Sequence, residues 1–127
     1  MFWLTSYPIA VIARQKLNGL GEHWGVLFSN GSVAHYTAGG GFQVASHEIF
    51  ARGKEVRKVR DVPLQRASVV QQRLDQISRN PRPYHATEWN CETFANWLTG
   101  EEAVSQQVGF WAIALLAAGF AVIAARA

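Results

Sequence analysis

The feature that most constrains this chain is an apolar run near its end. Residues 108–125 are 18 consecutive positions without a charged, amide or hydroxyl side chain, and Arg126 follows them. As a helix, a run of this length rises about 27 Å, close to the roughly 30 Å hydrocarbon core of a bilayer. A buried helix or an oligomer contact is the alternative, but a helix that is apolar on every side needs cover from every direction. We therefore predict a C-terminal transmembrane helix over residues 108–126 that anchors a globular domain of residues 1–107.

The composition of the chain is typical of one compact domain. Of its 127 residues, 49% are hydrophobic and 17% are charged, which excludes a disordered or collagen-like chain. The net charge is +3, from 12 basic and nine acidic side chains, without the clustered basic surface that nucleic-acid binding requires. We therefore expect no nucleic-acid partner, and the sequence makes no prediction about oligomeric state.

The single cysteine, Cys91, limits the compartment and the kinds of site. One cysteine forms no internal disulfide and supplies no cysteine pair for structural zinc, so a reducing compartment fits best. The first residues lack the basic stretch and unbroken apolar segment of a signal peptide. We therefore expect a single-pass anchor at the C-terminus with the domain on the cytoplasmic side of the membrane.

Hydrophobic periodicity predicts strands in the first half of the chain and helices in the second. The predicted strands are residues 8–13, 22–28, 32–37 and 55–62, and residues 42–50 give a mixed signal. Residues 63–79 have apolar side chains at helical spacing. A second helix, over residues 91–98, follows Asn90 as N-cap. This order predicts an α+β fold, a small antiparallel sheet with packed helices, plus the transmembrane helix.

Cys91 is the first candidate for chemistry, because the predicted helix begins at this residue. The first turn of a helix directs unpaired backbone N–H groups and the positive end of the dipole at the side chain, which favours a thiolate. The thiolate is the nucleophilic form of cysteine. The alternative is that Cys91 is simply a small buried apolar side chain.

A cysteine nucleophile needs a base, and His23 and His35 lie on the two strands of one predicted hairpin. A two-residue turn at positions 30–31 would place the two histidines on opposite faces of the sheet. A three-residue loop over positions 29–31, with Gly31 left-handed, would pair Gly25 with His35 and bring both rings to one face. The sequence leaves both registers open.

The other histidines are weaker candidates. His47 stands between Ser46 and Glu48 and is expected to be solvated, whereas His85 is only six residues before Cys91 and is an alternative base. A zinc site of His23, His35 and Cys91 is chemically permissible, but these residues lack the short spacing of most structural sites. We therefore predict no metal and no cofactor.

Three segments, taken together, resemble the lecithin:retinol acyltransferase-like family, a circularly permuted branch of the NlpC/P60 papain-like thiol hydrolases. They are the sequence His-Trp-Gly-Val at residues 23–26, then His35, and Asn-Cys-Glu-Thr-Phe at residues 90–94. The resemblance covers roughly residues 21–100, and residues 44–50 also resemble the linker of bacterial members. It implies a permuted NlpC/P60-like fold.

The resemblance also implies residue roles: Cys91 as nucleophile, His23 as general base and His35 as the group that orients His23. In that family the thiolate attacks an acyl ester, often of a glycerophospholipid, and the acyl group passes through a thioester to water, an amine or an alcohol. The implied function is a membrane-anchored acyltransferase or phospholipase whose substrate is a phospholipid or another acyl ester.

The chain departs from the family pattern at two positions. Thr93 stands where members usually have histidine, and Gly21 stands where animal relatives often have tyrosine. Without that tyrosine, backbone N–H groups are left to stabilise an oxyanion, above all that of Cys91. The alternative functions are a cysteine amidase or peptidase of the NlpC/P60 type and a non-catalytic, membrane-tethered interaction module of the same fold.

Overall fold

The structure, a computed structural model, describes residues 9–101, 103, 105, 107 and 108. A five-stranded antiparallel sheet with the order β4-β3-β2-β1-β5 lies at its centre. The strands are β1 (Ile9–Gln15), β2 (Glu22–Leu27), β3 (Ser32–Thr37), β4 (Gly41–Ser46) and β5 (Val56–Val62). The helices are α1 (His47–Ala51), α2 (Ala67–Arg79) and α3 (Cys91–Leu98), and a 3-10 turn, Leu64–Arg66, precedes α2.

The predicted fold class, which included a C-terminal transmembrane helix, is corrected by this architecture. The structure has a small α+β fold, and none of the helices that its described residues form is long and apolar enough to cross a membrane. The longest of them, α2, has 13 residues and rises about 20 Å, too short for the roughly 30 Å hydrocarbon core. Residues 109–127, which carry most of the predicted anchor, lie outside the described residues. The division into residues 1–107 and 108–126 stays a prediction.

The sheet buries apolar side chains on both of its faces. On one face the strands pack against α3, and the shared core includes Val11, Val26, Tyr36, Phe94 and Leu98. On the other face Ile12 and Val33 pack against Phe50 of α1. Successive side chains of a strand point to opposite faces of the sheet. Those of β2, which lies in the middle of the sheet, therefore alternate between these two cores.

The hairpin of β2 and β3 has the three-residue loop. The Phe28 N–H donates a hydrogen bond of 2.9 Å to the Ser32 carbonyl, and Gly31 has a left-handed φ of 85°. Gly25 therefore pairs with His35. A Cβ atom at Gly25 would lie 2.8 Å from Cε2 of Phe50, so only glycine lets α1 approach the sheet this closely.

Several boundaries differ from the expectations. The mixed segment over residues 42–50 divides into β4 and α1, and the Ser46 side chain accepts a hydrogen bond from the Ile49 N–H at the start of α1. The helix expected from residue 63 begins as a 3-10 turn and becomes α-helical at Ala67. Between α2 and α3, His85 and Trp89 form an isolated antiparallel bridge.

Candidate active site

A capped helix start holds Cys91 in place. The Asn90 side chain accepts hydrogen bonds of 3.0 Å from the N–H groups of Glu92 and Thr93, and the Thr93 hydroxyl accepts one of 2.6 Å from the Asn90 N–H. Thr93 thus completes a capping box, which explains how threonine serves at this position. Cys91 is the first residue of α3, and within the described part of the chain its own N–H has no hydrogen-bond partner.

The first residue of α3 contacts the part of β2 that lies beyond the end of its ladder with β3. The ladder between these strands covers three residue pairs and ends at Gly25 and His35, whereas the ladder of β3 with β4 continues to Thr37. The first residues of β2 therefore have one edge outside the β3 ladder. The Cys91 Sγ atom lies against this edge, 3.8 Å from the Glu22 carbonyl oxygen.

His23 and His35 form a direct contact on the face of the sheet that α1 covers. His23 Nε2 and His35 Nδ1 are 2.8 Å apart, a hydrogen-bond distance. The His23 ring stacks on Phe50 at a centroid distance of 5.3 Å, and the His35 ring meets the same phenyl ring edge-on. The two histidines are 8% and 6% exposed, so packing fixes both ring orientations.

Burial keeps both imidazoles neutral. It lowers the pKa of His23 to about 3, with further contributions from His35 and Arg14, and it lowers the pKa of His35 to about 4, with a contribution from Arg14. A neutral His35 can accept the Nε2 hydrogen of His23 at its Nδ1 atom. In this tautomer the His23 Nδ1 atom keeps its lone pair, and it has no hydrogen-bond partner among the residues described. Nδ1 is then the atom of His23 that can accept a proton, and the lowered pKa makes it a weak base.

The sequence predicts a lowered pKa for the Cys91 thiol, and this prediction is wrong, because the net shift is upward. Burial raises the pKa of the Cys91 thiol, and the favourable effects of the backbone N–H groups of Trp24 and Glu92 and of the Lys16 charge are smaller. The reason is that Cys91 is only 5% exposed, so desolvation outweighs the helix N-terminus. At neutral pH the site therefore contains a thiol and a neutral imidazole.

Cys91 and His23 line one cavity of about 310 Å³, together with Tyr84, Arg14 and Lys16. A second cavity of about 80 Å³ also reaches Cys91. The thiol and the imidazole therefore border the same space, and that space has the volume of a small-molecule site. Covalent catalysis requires the nucleophile and its base within hydrogen-bond reach of each other. Here the two groups share a cavity, and the hydrogen bond of the Cys91 Sγ atom is to the Glu22 carbonyl.

Arg14 is a site residue that the sequence analysis missed. It pairs with His23 across β1 and β2, is only 9% exposed, and donates a hydrogen bond of 2.6 Å from Nε to the Phe50 carbonyl. The signal in the sequence is a charged side chain directly after a strongly apolar strand. That signal alone does not distinguish a buried arginine from the solvated end of a strand.

Gln107 is a second site residue that is not predicted from the sequence, because no pattern in the sequence indicates its role. Its side-chain oxygen accepts a hydrogen bond of 2.7 Å from the Glu22 N–H, and its Nε2 atom donates to the Glu22 carbonyl at 3.2 Å. Nε2 also donates to the Glu92 carboxylate at 3.1 Å. Gln107 thus ties the segment before the apolar run to the residues that flank His23 and Cys91.

The remaining histidines lie elsewhere. His47 is exposed at the start of α1, and His85 is exposed with its Nδ1 accepting a hydrogen bond of 3.1 Å from the Glu88 N–H. Neither lines the cavity that Cys91 and His23 share. Among the residues described, no three histidine, cysteine or acidic side chains form a group that could hold a metal ion.

Comparisons of the chain with protein-family models, with curated proteins and with solved structures find no match. The resemblance to the lecithin:retinol acyltransferase-like family therefore rests on short sequence segments alone and stays a prediction.

Proposed function

We propose that the protein is a cysteine-dependent acyltransferase or hydrolase that transfers acyl groups from lipid esters, phospholipids among them, through a thioester at Cys91. The observation that carries this proposal is the 2.8 Å contact between His23 Nε2 and His35 Nδ1, beside the cavity that His23 shares with Cys91. It supplies a base whose second nitrogen is held by an orienting group. The choice of lipid esters comes from the sequence resemblance.

In the first step, the Cys91 Sγ atom attacks the carbonyl carbon of the ester while the thiol proton passes to His23 Nδ1. Base assistance is required because burial raises the pKa of the thiol. The bond between the carbonyl carbon and the ester oxygen then breaks. His23 returns the proton to the departing oxygen, which leaves an alcohol product and an acyl thioester.

In the second step, water or an acceptor alcohol or amine gives a proton to His23 and attacks the thioester carbonyl. The bond between carbon and sulfur breaks, and the sulfur of Cys91 takes the proton back. Water as acceptor gives hydrolysis, and an alcohol or amine gives acyl transfer. The enzyme returns to its thiol and neutral imidazole in both cases.

Two groups assist these steps without exchanging protons with the substrate. His35 is a positioning residue, because its Nδ1 atom holds the tautomer of His23 in which Nδ1 is the base. The Cys91 N–H stabilises the negative charge on the carbonyl oxygen, because the Asn90 cap engages the next two N–H groups of α3 and leaves this one available.

Release of heptanoic acid from diheptanoylphosphatidylcholine tests the proposal. We expect Cys91→Ser to abolish release and His23→Gln to reduce kcat/KM by about 100-fold or more, since general-base catalysis typically contributes that much. His47→Gln is the matched control, because it removes an exposed histidine outside the cavity. Activity retained in Cys91→Ser would contradict the proposal.

Two observations favour a second candidate, a non-catalytic interaction module. The pKa of Cys91 is raised, and the Sγ contact is made with the Glu22 carbonyl rather than with an imidazole. In such a module Cys91 is a buried side chain, and Cys91→Ala leaves every function unchanged. Release of fatty acid that depends on both Cys91 and His23 would exclude this candidate.

A further inference from the structure

The cavity beside Cys91 has an unbalanced set of charges. Its ten lining residues include two cations, Arg14 and Lys16, and none of the ten is acidic. Neither cation forms an ion pair with a carboxylate in the part of the chain that the structure describes. The space next to the nucleophile is therefore positively charged.

Of the two cations, Arg14 gives the stronger indication that an anion binds here. The residue is 9% exposed, and its hydrogen bonds go to two backbone carbonyl groups, those of Phe50 at 2.6 Å and Gln15 at 3.2 Å. Its guanidinium carbon also lies 5.6 Å from the centre of the Phe50 ring, so a cation–π contact compensates part of the charge. A guanidinium group has five N–H donors, so these two bonds leave donors free. A buried charge without a counterion is costly unless a ligand supplies the opposite charge.

The charge of Arg14 acts on the groups that do the proposed chemistry. It contributes to the lowered pKa of both His23 and His35, and it interacts with Cys91. Lys16 in turn favours the thiolate form of Cys91. Both cations are therefore within electrostatic range of the reacting atoms as well as in the same cavity.

We propose that Arg14, assisted by Lys16, binds an anionic group of the substrate close to Cys91, so that the preferred acyl donor carries a carboxylate or a phosphate near the reacting carbonyl. A planar guanidinium group binds either anion through paired N–H donors. As a statement about the acyl donor this inference rests on the proposed function. Binding of an anion at Cys91 is measurable without turnover.

Alkylation of Cys91 by a matched pair of reagents tests the anion site directly. Iodoacetate and iodoacetamide differ mainly in one negative charge, and Cys91 is the only cysteine in the chain, so intact mass reports its modification. We expect the ratio of the iodoacetate rate to the iodoacetamide rate to be about tenfold higher in the folded protein than in the urea-unfolded chain, as a charge-assisted hydrogen bond allows. Equal ratios, or no labelling by either reagent, would overturn the proposal.

Variants assign the effect to its residues. Arg14→Gln should bring the ratio to that of the unfolded chain, Arg14→Lys should keep part of the preference, and Lys16→Gln should reduce it less than Arg14→Gln. Arg79→Gln is the matched control, since it removes the same charge from an exposed position outside the cavity. A preference that survives both Arg14→Gln and Lys16→Gln would assign it to other groups and overturn the proposal.

Ester hydrolysis separates this inference from the proposed function. The p-nitrophenyl esters of pentanoate, glutarate and 4-phosphonobutanoate provide a neutral acyl group, a carboxylate and a phosphonate. We expect Cys91-dependent kcat/KM to be about tenfold higher for an anionic ester, and the two anionic esters distinguish a carboxylate from a phosphate source. Hydrolysis that does not depend on Cys91 would contradict the proposed function. Cys91-dependent hydrolysis without a charge preference would overturn the anion site alone.

Discussion

The buried histidine pair makes the stability of the fold depend on pH in a predictable direction. The pKa of His23 is lowered from 6.5 to about 3 and that of His35 to about 4, in both cases mainly by burial. As the pH falls below 6.5, the unfolded chain binds a proton at each histidine while the folded protein does not. Stability is therefore full above this pH and is lost progressively as the pH falls, down to about 4 for the His35 contribution and about 3 for that of His23.

The size of this effect follows from the span of pH over which only the unfolded chain is protonated. One pKa unit corresponds to about 1.4 kcal/mol, so each histidine costs about 2 kcal/mol between pH 7 and pH 5, and the pair costs about 3 to 4 kcal/mol. This result needs only that both folded-state pKa values lie below 5.

Urea denaturation of the full chain at pH 7 and pH 5 measures the change. The doubly substituted variant His23→Gln/His35→Gln should lose most of the pH dependence, whereas His47→Gln, an exposed histidine, should retain it. A loss of less than about 1 kcal/mol in the unsubstituted protein, or an equal loss in the doubly substituted variant, would contradict the lowered pKa values of His23 and His35 in the folded protein.

Three further predictions follow from the same contacts. His35→Gln should lower kcat/KM by about tenfold, because the glutamine amide can still orient the His23 ring. His23→Gln should lower it by about 100-fold or more, because an amide cannot transfer a proton as the imidazole does. Equal losses in the two variants would contradict their separate roles. The value of kcat/KM should stay nearly constant from pH 7 to pH 5, since His23 is neutral down to about pH 3, and a midpoint near 6.5 would contradict the lowered pKa. Gly25→Ala should destabilise the fold by about 1 to 3 kcal/mol in urea denaturation, because the added Cβ would lie 2.8 Å from Phe50 Cε2; unchanged stability would contradict this packing.

Much of the strand and helix pattern is predictable from the sequence because it depends on local periodicity. Residues 22–28 and 32–37 are two short runs on either side of a turn sequence, which predicts a hairpin, and β2 and β3 fall within them. The loop length is not predictable in this way, since Asn30 and Gly31 suit both registers. Contact between Gly25 and Phe50, which are distant in sequence, belongs to the three-residue register.

Only the features of the candidate site that depend on neighbouring residues are predictable from the sequence. The position of Cys91 at the start of α3 follows from Asn90, a local N-cap signal. The direction of the Cys91 pKa does not, because it depends on burial by residues far away in the sequence. That Arg14 forms no ion pair with a carboxylate of the described residues is likewise a property of the folded cavity.

The transmembrane helix expected over residues 108–126 shows another limit. Mean apolarity over 18 residues identifies a segment that a bilayer would accept, but it does not establish the structure that the segment adopts. Gln107, directly before this run, contacts both Glu22 and Glu92. The residue directly before the segment is therefore tied to the site by side-chain hydrogen bonds.

The intact mass of the full chain after brief incubation with diheptanoylphosphatidylcholine, beside that of Cys91→Ala, shows whether an acyl thioester forms at Cys91. We predict that the unsubstituted protein gains the mass of one heptanoyl group, that hydroxylamine removes it as expected for a thioester, and that Cys91→Ala gains none. No mass gain in the unsubstituted protein, or an equal gain in Cys91→Ala, would contradict a thioester at Cys91.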